Sequence, residues 1–151
     1  MQHPGRFKDL SVPDYRALAE FRFQIRRFLH FSEREARAQR LEPAQHQLLL
    51  AIKGMPEDVR PTVRELAGRL CIQHHSTVEL VNRLTRRGAV RRRRCSEDRR
   101  EVLVDLTPTG ENLLRELSVS HREEFGNAGP ALAHALDAIM RQRKLAVRRS
   151  A

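Results

Sequence analysis

The sequence predicts a mainly α-helical protein with one small β-hairpin, an α+β fold of the winged helix-turn-helix kind with long N- and C-terminal helices. Three observations predict it. Apolar residues recur at steps of three and four over most of the chain, which is the helical period. Two short helical segments are separated by a tight break at 71–73. After Gly88 the period changes to two, which is typical of strands.

The length of the chain limits the number of domains, and its charge indicates the kind of partner. The chain has 151 residues, suits one domain or one module with dimerising extensions, and carries a net charge of +10. Between Arg83 and Arg100 there are nine arginines against Glu97 and Asp98, a net of +7 in 18 residues. Such a concentration of positive charge predicts a polyanionic partner, which the winged helix-turn-helix pattern identifies as double-stranded DNA.

Other composition features set the expected compartment. No stretch approaches the roughly 20 apolar residues that a membrane helix needs, and Met1–Asp9 is polar, without the apolar core of a signal peptide. The two cysteines provide neither a disulfide framework nor zinc-ligand spacing. We therefore expect a cytoplasmic, nucleoid-associated protein with no membrane partner, no metal and no cofactor.

The first predicted helix runs from Pro13 to Arg40. Twenty-eight residues span roughly 42 Å at about 1.5 Å per residue. Its stripe consists of Leu18, Phe21, Ile25, Phe28, Leu29 and Ser32. Because a compact module cannot bury so long a stripe, residues 1–42 are predicted to form a dimerisation helix in a homodimer.

Two shorter helices follow. Pro43 suits the first turn of a second helix, which ends before Gly54. Thr62 and Glu65 have the spacing of a capping box, in which the threonine oxygen and the glutamate each satisfy a free backbone donor. The third helix is therefore predicted over Val63–Leu70.

The fourth helix and the hairpin complete the central region. The helix is predicted over His74–Arg87 and is closed by Gly88. Two strand-like segments, Val90–Cys95 and Glu101–Leu106, are joined by a polar turn at 96–99. Residues 43–108 are thus predicted to form the winged helix-turn-helix DNA-binding region.

The remaining chain is predicted to be helical and dimerising, over 109–151. Thr107 and Pro108 open a fifth helix that reaches about Phe125. The stretch Gly126–Pro130 is predicted to break it, because glycine and proline disfavour helix interiors. A last helix is predicted over Ala131–Val147. Its apolar stripe consists of Leu132, Leu136, Ile139 and Met140.

The central region resembles the MarR-type (multiple-antibiotic-resistance regulator) family of transcriptional regulators. The residues that carry the resemblance are Thr62-Val63-Arg64-Glu65-Leu66-Ala67, Leu70, Ile72, Thr77-Val78, Leu80-Val81, Arg83-Leu84, Gly88, Val90-Arg91, Asp98-Arg99-Arg100, Val102, Val104, Leu106-Thr107 and Gly110. They lie in register over about fifty residues, and the flanking helices match the family's arrangement. The resemblance implies a two-fold dimer built on the terminal helices, and usually repression that a small ligand or oxidation relieves.

The fourth helix is the candidate recognition helix. Val78, Val81 and Leu84 are expected to pack inward, and its polar residues are expected to face DNA in the major groove. The candidate readout residues are His74, His75, Ser76, Thr77, Glu79, Asn82, Arg83 and Arg86. The alternative is that these residues are simply a solvated helix face. Gln73 and the histidine pair depart from the family's usual residues, which leaves open the bases that are read.

The hairpin is the candidate wing. The resemblance carries over to Asp98 and Arg100, a carboxylate that orients an arginine for the minor groove, although Arg99 could take that role instead. Arg92 and Arg94 complete the candidate wing contacts, because alternation along the strand lets about half of the run 91–94 face DNA. A solvated charge run is the alternative interpretation.

Several further side chains are candidates for ligand or redox chemistry. The resemblance places His30, Arg34 and His46 near a pocket for a small aromatic or anionic effector, and purely structural histidines are the alternative. Cys71 is expected to be a small buried hydrophobe. Cys95 is on an arginine-rich strand that could lower its thiol pKa. His75 and Glu79 have a metal-compatible spacing, but two ligands on a DNA-facing surface make a poor site.

The function predicted from these features is that of a sequence-specific transcriptional regulator that binds an inverted-repeat operator, as a repressor released by a small ligand. An enzyme is not expected, because the chain has no nucleophile motif, phosphate loop or convergent carboxylate pair. The alternative is a sequence-tolerant architectural DNA-binding protein, which would use the same charge without base readout.

Overall fold

The computed structural model describes residues 10–98 and 100–148, with side chains described up to residue 142. It confirms the mainly helical fold with a two-stranded hairpin. The elements in chain order are α1 Val12–Ala38, α2 Pro43–Lys53, α3 Val63–Leu70, α4 His74–Arg86, β1 Val90–Arg94, β2 Val102–Leu106 and α5 Pro108–Arg148.

The C-terminal prediction of two helices is wrong. A single helix, α5, runs from Pro108 to Arg148 with Pro130 inside it. Proline removes only one hydrogen bond of the helical ladder, at a cost of about 3 kcal/mol. An added Cβ at either Gly126 or Gly129 would meet nothing within 4 Å, so neither glycine is required by a close approach. The hydrogen bonds of the helical turns on either side of Pro130 outweigh this cost, and the helix stays continuous.

The chain divides into two compact units. The central unit is Ser32–His121, and the terminal unit combines the described residues up to Phe31 with those from Arg122 onward. The core of the central unit consists of Ala36, Leu41, Leu48, Leu49, Ile52, Leu66, Leu80, Val81, Leu84, Ala89, Val90, Val104, Leu114 and Leu117. This core holds α2, α3, α4 and the hairpin in one module.

The start of α3 shows why that helix begins where it does. The Thr62 hydroxyl accepts a hydrogen bond from the backbone N–H of Glu65, at 3.1 Å. The reciprocal half of the predicted capping box is wrong: the backbone N–H of Thr62 donates to the Arg60 carbonyl at 2.8 Å, and the Glu65 carboxylate pairs with Arg69 at 3.1 Å. Glu65 thus supports the last turn of α3 instead of its first.

The hairpin is anchored to the segment before α3. β1 and β2 pair antiparallel, with Arg92 opposite Val104. The backbone N–H of Val104 donates to the Pro61 carbonyl at 2.9 Å, and Thr62 forms an isolated bridge with Leu103. Residues 61–62 therefore extend the sheet on the β2 side and fix the wing relative to the start of α3.

The terminal unit has a small packed centre and an extensive exposed apolar surface. The rings of Phe28 and Phe125 lie 4.4 Å apart, and Ala135 is buried. Large apolar side chains are nevertheless exposed on the same unit, namely Leu10, Val12, Tyr15, Leu18, Phe23, Leu29, Phe125, Leu136 and Met140. Among the described residues, no helix is long and apolar enough to cross a membrane.

Candidate nucleic-acid interface

Helix α4 has a buried face and an exposed face, as an amphipathic recognition helix requires. Leu80, Val81 and Leu84 are buried in the core, whereas Val78 is half-buried. Thr77, a predicted readout residue, is fully buried, and its hydroxyl donates to the Gln73 carbonyl at 3.2 Å. That prediction is corrected, because a side chain inside the core cannot contact DNA.

The exposed face of α4 carries a stripe of polar residues. His75, Glu79, Asn82 and Arg86 follow one another at steps of four, three and four, so they share one side of the helix. Glu79 and Arg86 are exposed and Asn82 is half-buried. Of the other predicted readout residues, His74 is exposed and Ser76 is half-buried.

This stripe meets the first strand of the wing. Arg92 donates from Nη2 to Asn82 Oδ1 at 2.7 Å, and Asn82 Nδ2 donates to Glu79 Oε1 at 3.4 Å. Between the helix and the strand lies an open cleft of about 330 Å³, which is lined by Glu79, Asn82, Thr85, Arg86 and Arg92. The recognition helix and the wing thus share one polar, largely basic surface.

Arg83 lies away from the stripe and is paired. Its Nη1 contacts both carboxylate oxygens of Glu42, at 3.0 and 2.9 Å. One turn later, Arg87 donates to the carbonyls of Gln39, at 2.9 Å, and of Arg40. Arg40 has a left-handed backbone with φ 57°. The C-terminal half of α4 is therefore held against the corner between α1 and α2.

All four arginines of β1 are exposed. Exposure therefore does not distinguish the arginines that face DNA from those that do not, and alternation along the strand stays the basis of that prediction. Arg93 pairs with Asp105 on β2, and Arg92 reaches Asn82 as described. Arg94 and Arg91 are exposed, which is the exposure that a phosphate contact requires.

The tip of the wing is shaped by carboxylates. Asp98 Oδ1 accepts a hydrogen bond from the backbone N–H of Arg100 at 2.9 Å, so this carboxylate orders the turn. Arg60, before α3, pairs with Glu97 and, at 2.8 Å, with Glu101. Its hydrogen bond with Glu101 is the main cause that raises the pKa of Arg60. Arg99 lies outside the described residues. Sequence reasoning missed Arg60, since no motif marked it.

The predicted effector residues are placed differently from one another. His46 is buried, whereas Arg34 and His30 are exposed. The His46 ring lies 4.8 Å from that of His121, whose Nε2 is 2.8 Å from Ser32 Oγ. His46 Nδ1 has no hydrogen-bond partner among the described residues. Burial, and secondarily the charge of His121, lowers the pKa of His46 to about 4.

The two cysteines differ in exposure, and Cys71 differs from its prediction. Cys71 is exposed and caps the end of α3 with a left-handed backbone, φ 54°, so the prediction of a buried hydrophobe is wrong. The side chain lies on the outer side of the turn, where its thiol is 3.6 Å from the Gly68 carbonyl. Cys95, which follows β1, is buried.

Comparisons with known proteins find similarity to one family model and to several solved structures. The MarR family model matches residues 41–101. Among solved structures, AbsC, a MarR family transcriptional regulator from Streptomyces coelicolor, has a TM-score of 0.71 at 19% identity, over 93% of this chain and 98% of that one. A mutant of MepR from S. aureus bound to an oligodeoxyribonucleotide has a TM-score of 0.61 at 17% identity, over 86% and 94%.

A third structure has a ligand. PcaV, a transcriptional regulator from Streptomyces coelicolor in complex with its natural ligand, has a TM-score of 0.57 at 25% identity, over 81% of this chain and 90% of that one. Comparison with curated proteins gives no match. The structural likenesses confirm the winged helix-turn-helix fold over most of the chain.

Proposed function

We propose that this chain, whose residues 41–101 match the MarR family model, is a homodimeric transcriptional repressor. It reads an inverted-repeat operator and releases it when a small ligand binds. The observation that carries the proposal is the shared surface of α4 and β1. There, an ordered polar stripe on the helix adjoins the exposed arginines of the wing.

That surface has the two components that specific DNA binding needs. Contacts to phosphates supply affinity, and contacts to base edges supply specificity. Arg86, Arg91, Arg94 and Arg100 are exposed cations suited to phosphates or to the minor groove. His75, together with the stripe that follows it on α4, is suited to base edges in the major groove.

The terminal helices support a dimer. Leu18, Leu136 and Met140 are each more than two-fifths exposed, although they belong to the apolar stripes of α1 and α5. A second copy that covers them would bury an interface above about 2,000 Å², as permanent dimers do. In this proposal residues 1–42 and 109–151 dimerise, and residues 43–108 bind DNA.

The proposed effector is a small aromatic or anionic compound that acts near His46, with His30 and Arg34 as further candidate contacts. PcaV, whose structure holds its natural ligand, is a precedent for a ligand-binding protein of this fold. The cluster of buried His46 and Ser32 with half-buried His121 supports the proposal, because it places polar atoms among apolar neighbours. A cytoplasmic, nucleoid-associated location follows from the DNA partner.

The test is a titration of the purified dimer. DNA captured by the protein in its own cell is sequenced, and the enriched inverted repeat and a scrambled duplex are titrated at two salt concentrations. We expect the repeat to bind at least about 1,000-fold more tightly, and a phenolic-acid panel to contain a compound that releases it. Equal affinity for both duplexes would support the architectural alternative instead. A Leu136→Glu variant should be monomeric by light scattering and should lose most of its affinity.

A further inference from the structure

We infer that Glu79 is a specificity-determining residue that reads a cytosine in each half-site of the operator. The inference rests on the proposed function, because it names the base that the recognition helix selects. It starts from an anomaly of charge. Glu79 is an exposed carboxylate in the centre of a surface whose other charged groups, Arg86 and Arg92, are cationic.

A carboxylate at this place works against generic DNA binding. It lies on the same side of α4 as Arg86 and faces the same cleft as the wing residue Arg92. A protein that binds DNA by charge alone would lose affinity through such a group, since it repels the phosphates. What a carboxylate provides in a major groove is a hydrogen-bond acceptor without a donor. Among base edges, its characteristic partner is the exocyclic amine of cytosine.

The surrounding side chains hold Glu79 for that role. Asn82 donates from Nδ2 to Glu79 Oε1, and the same amide accepts from Arg92 through Oδ1. The second bond sets the orientation of the amide, so its donor end points at Glu79. One carboxylate oxygen is thus engaged, and the other is left for a base. Arg92 acts as a positioning residue, linking the wing to the readout position.

Arg83 illustrates the contrast within one helix. Its positive charge is paired with the carboxylate of Glu42, the residue before α2. Glu79 has no such ion pair among the described salt bridges. Its only described partner is the neutral amide of Asn82, so its full negative charge remains on the DNA-facing side. That charge is explained if cytosine supplies the donor.

The experiment selects duplexes from a random pool with the wild-type dimer, and then exchanges each conserved C·G pair of the consensus for T·A. Fluorescence anisotropy measures affinity for wild type, Glu79→Ala, Glu79→Gln and Glu116→Ala, the last removing an exposed carboxylate from α5 as a control. At one symmetric position, wild type and the Glu116→Ala variant should lose about 5- to 150-fold per exchanged pair. The Glu79→Ala variant should lose less than about 2-fold there, and should keep the wild-type losses at the other positions.

Two further readouts complete the test. Glu79→Ala should bind scrambled duplex somewhat more tightly than wild type, because a repulsive charge is gone. Glu79→Gln, titrated also against a duplex with A·T at the same position, should shift the preference there towards A·T, since the amide pairs with adenine. Equal sensitivity of wild type and Glu79→Ala at every position would overturn the inference while leaving sequence-specific binding intact. A pool that yields no consensus would overturn the proposed function and this inference with it.

Discussion

The guanidinium of Arg83, on the recognition helix, contacts both carboxylate oxygens of Glu42, the residue that precedes α2. Both side chains are about half exposed. The pair therefore contributes little to stability, about 0–1 kcal/mol. Its greater consequence is for DNA binding, because it partly neutralises a cation that could otherwise contact a phosphate.

We predict that Glu42→Gln strengthens binding to operator and scrambled DNA alike, by about 2- to 5-fold at low salt, because it releases the charge of Arg83. Anisotropy titrations measure the affinity, and urea unfolding should show a loss of at most about 1 kcal/mol. The matched control is Glu33→Gln, which breaks the Glu33–Arg37 pair within α1 and should leave affinity unchanged. Weaker binding by the Glu42→Gln variant would contradict the prediction.

Arg100 at the wing should supply affinity without base selection. We expect Arg100→Ala to weaken binding to every duplex. It should also lower the slope of log affinity against log salt concentration by about one per subunit, or two in a symmetric dimer, because the variant releases fewer counterions from DNA when it binds. Affinities at four salt concentrations give the slope. Arg115→Ala is the control, since Arg115 is exposed on α5 and bonds to Asn112. An unchanged slope for Arg100→Ala would show that its side chain stays in solvent.

His46 should make stability depend on pH. Its pKa in the folded protein is about 4, against an ordinary value of 6.5, mainly because it is buried. Between these values the unfolded chain binds a proton that the folded protein does not, so stability falls as the pH decreases from 6.5 to 4 and levels off below. The full loss is about 3 kcal/mol.

Urea unfolding at several pH values tests this, and His46→Leu should flatten the curve across that window. The same substitution at exposed His134 should retain the wild-type slope. If His46→Leu were as pH-dependent as wild type, other groups would have to carry the effect.

Two glycines of α5 should respond to alanine with opposite sign. A Cβ at Gly110 would clash with the Ala89 carbonyl oxygen, whereas one at Gly126 would meet nothing within 4 Å. Gly110→Ala should therefore destabilise the protein by about 2 kcal/mol or more, because the backbone at Ala89 must move to make room for the methyl group. Gly126→Ala should stabilise it by up to about 1 kcal/mol through helix propensity. Thermal unfolding at one protein concentration measures both, and changes of the same sign would refute the prediction.

Local signals account for most elements that sequence reasoning placed correctly. The cap at Thr62, the proline that opens α2 and the glycine that follows α4 are each decided by a few neighbouring residues. The break expected at Gly126–Pro130 failed for the converse reason. Helix propensity describes the cost of glycine and proline residue by residue. It does not include the hydrogen bonds of the intact turns on both sides, which outweigh that cost.

The sequence by itself determined the fold class, the resemblance to the MarR family and the concentration of arginine around α4 and the wing, because period, caps and charge depend on residues that are close together in the chain. Only the tertiary structure decided which of those residues are available. It buried Thr77, paired Arg83 with Glu42, joined Arg92 to Asn82, and brought Arg60 to the wing. These contacts join residues that are 10 to 41 positions apart, and such partners are chosen by packing, which no local pattern encodes.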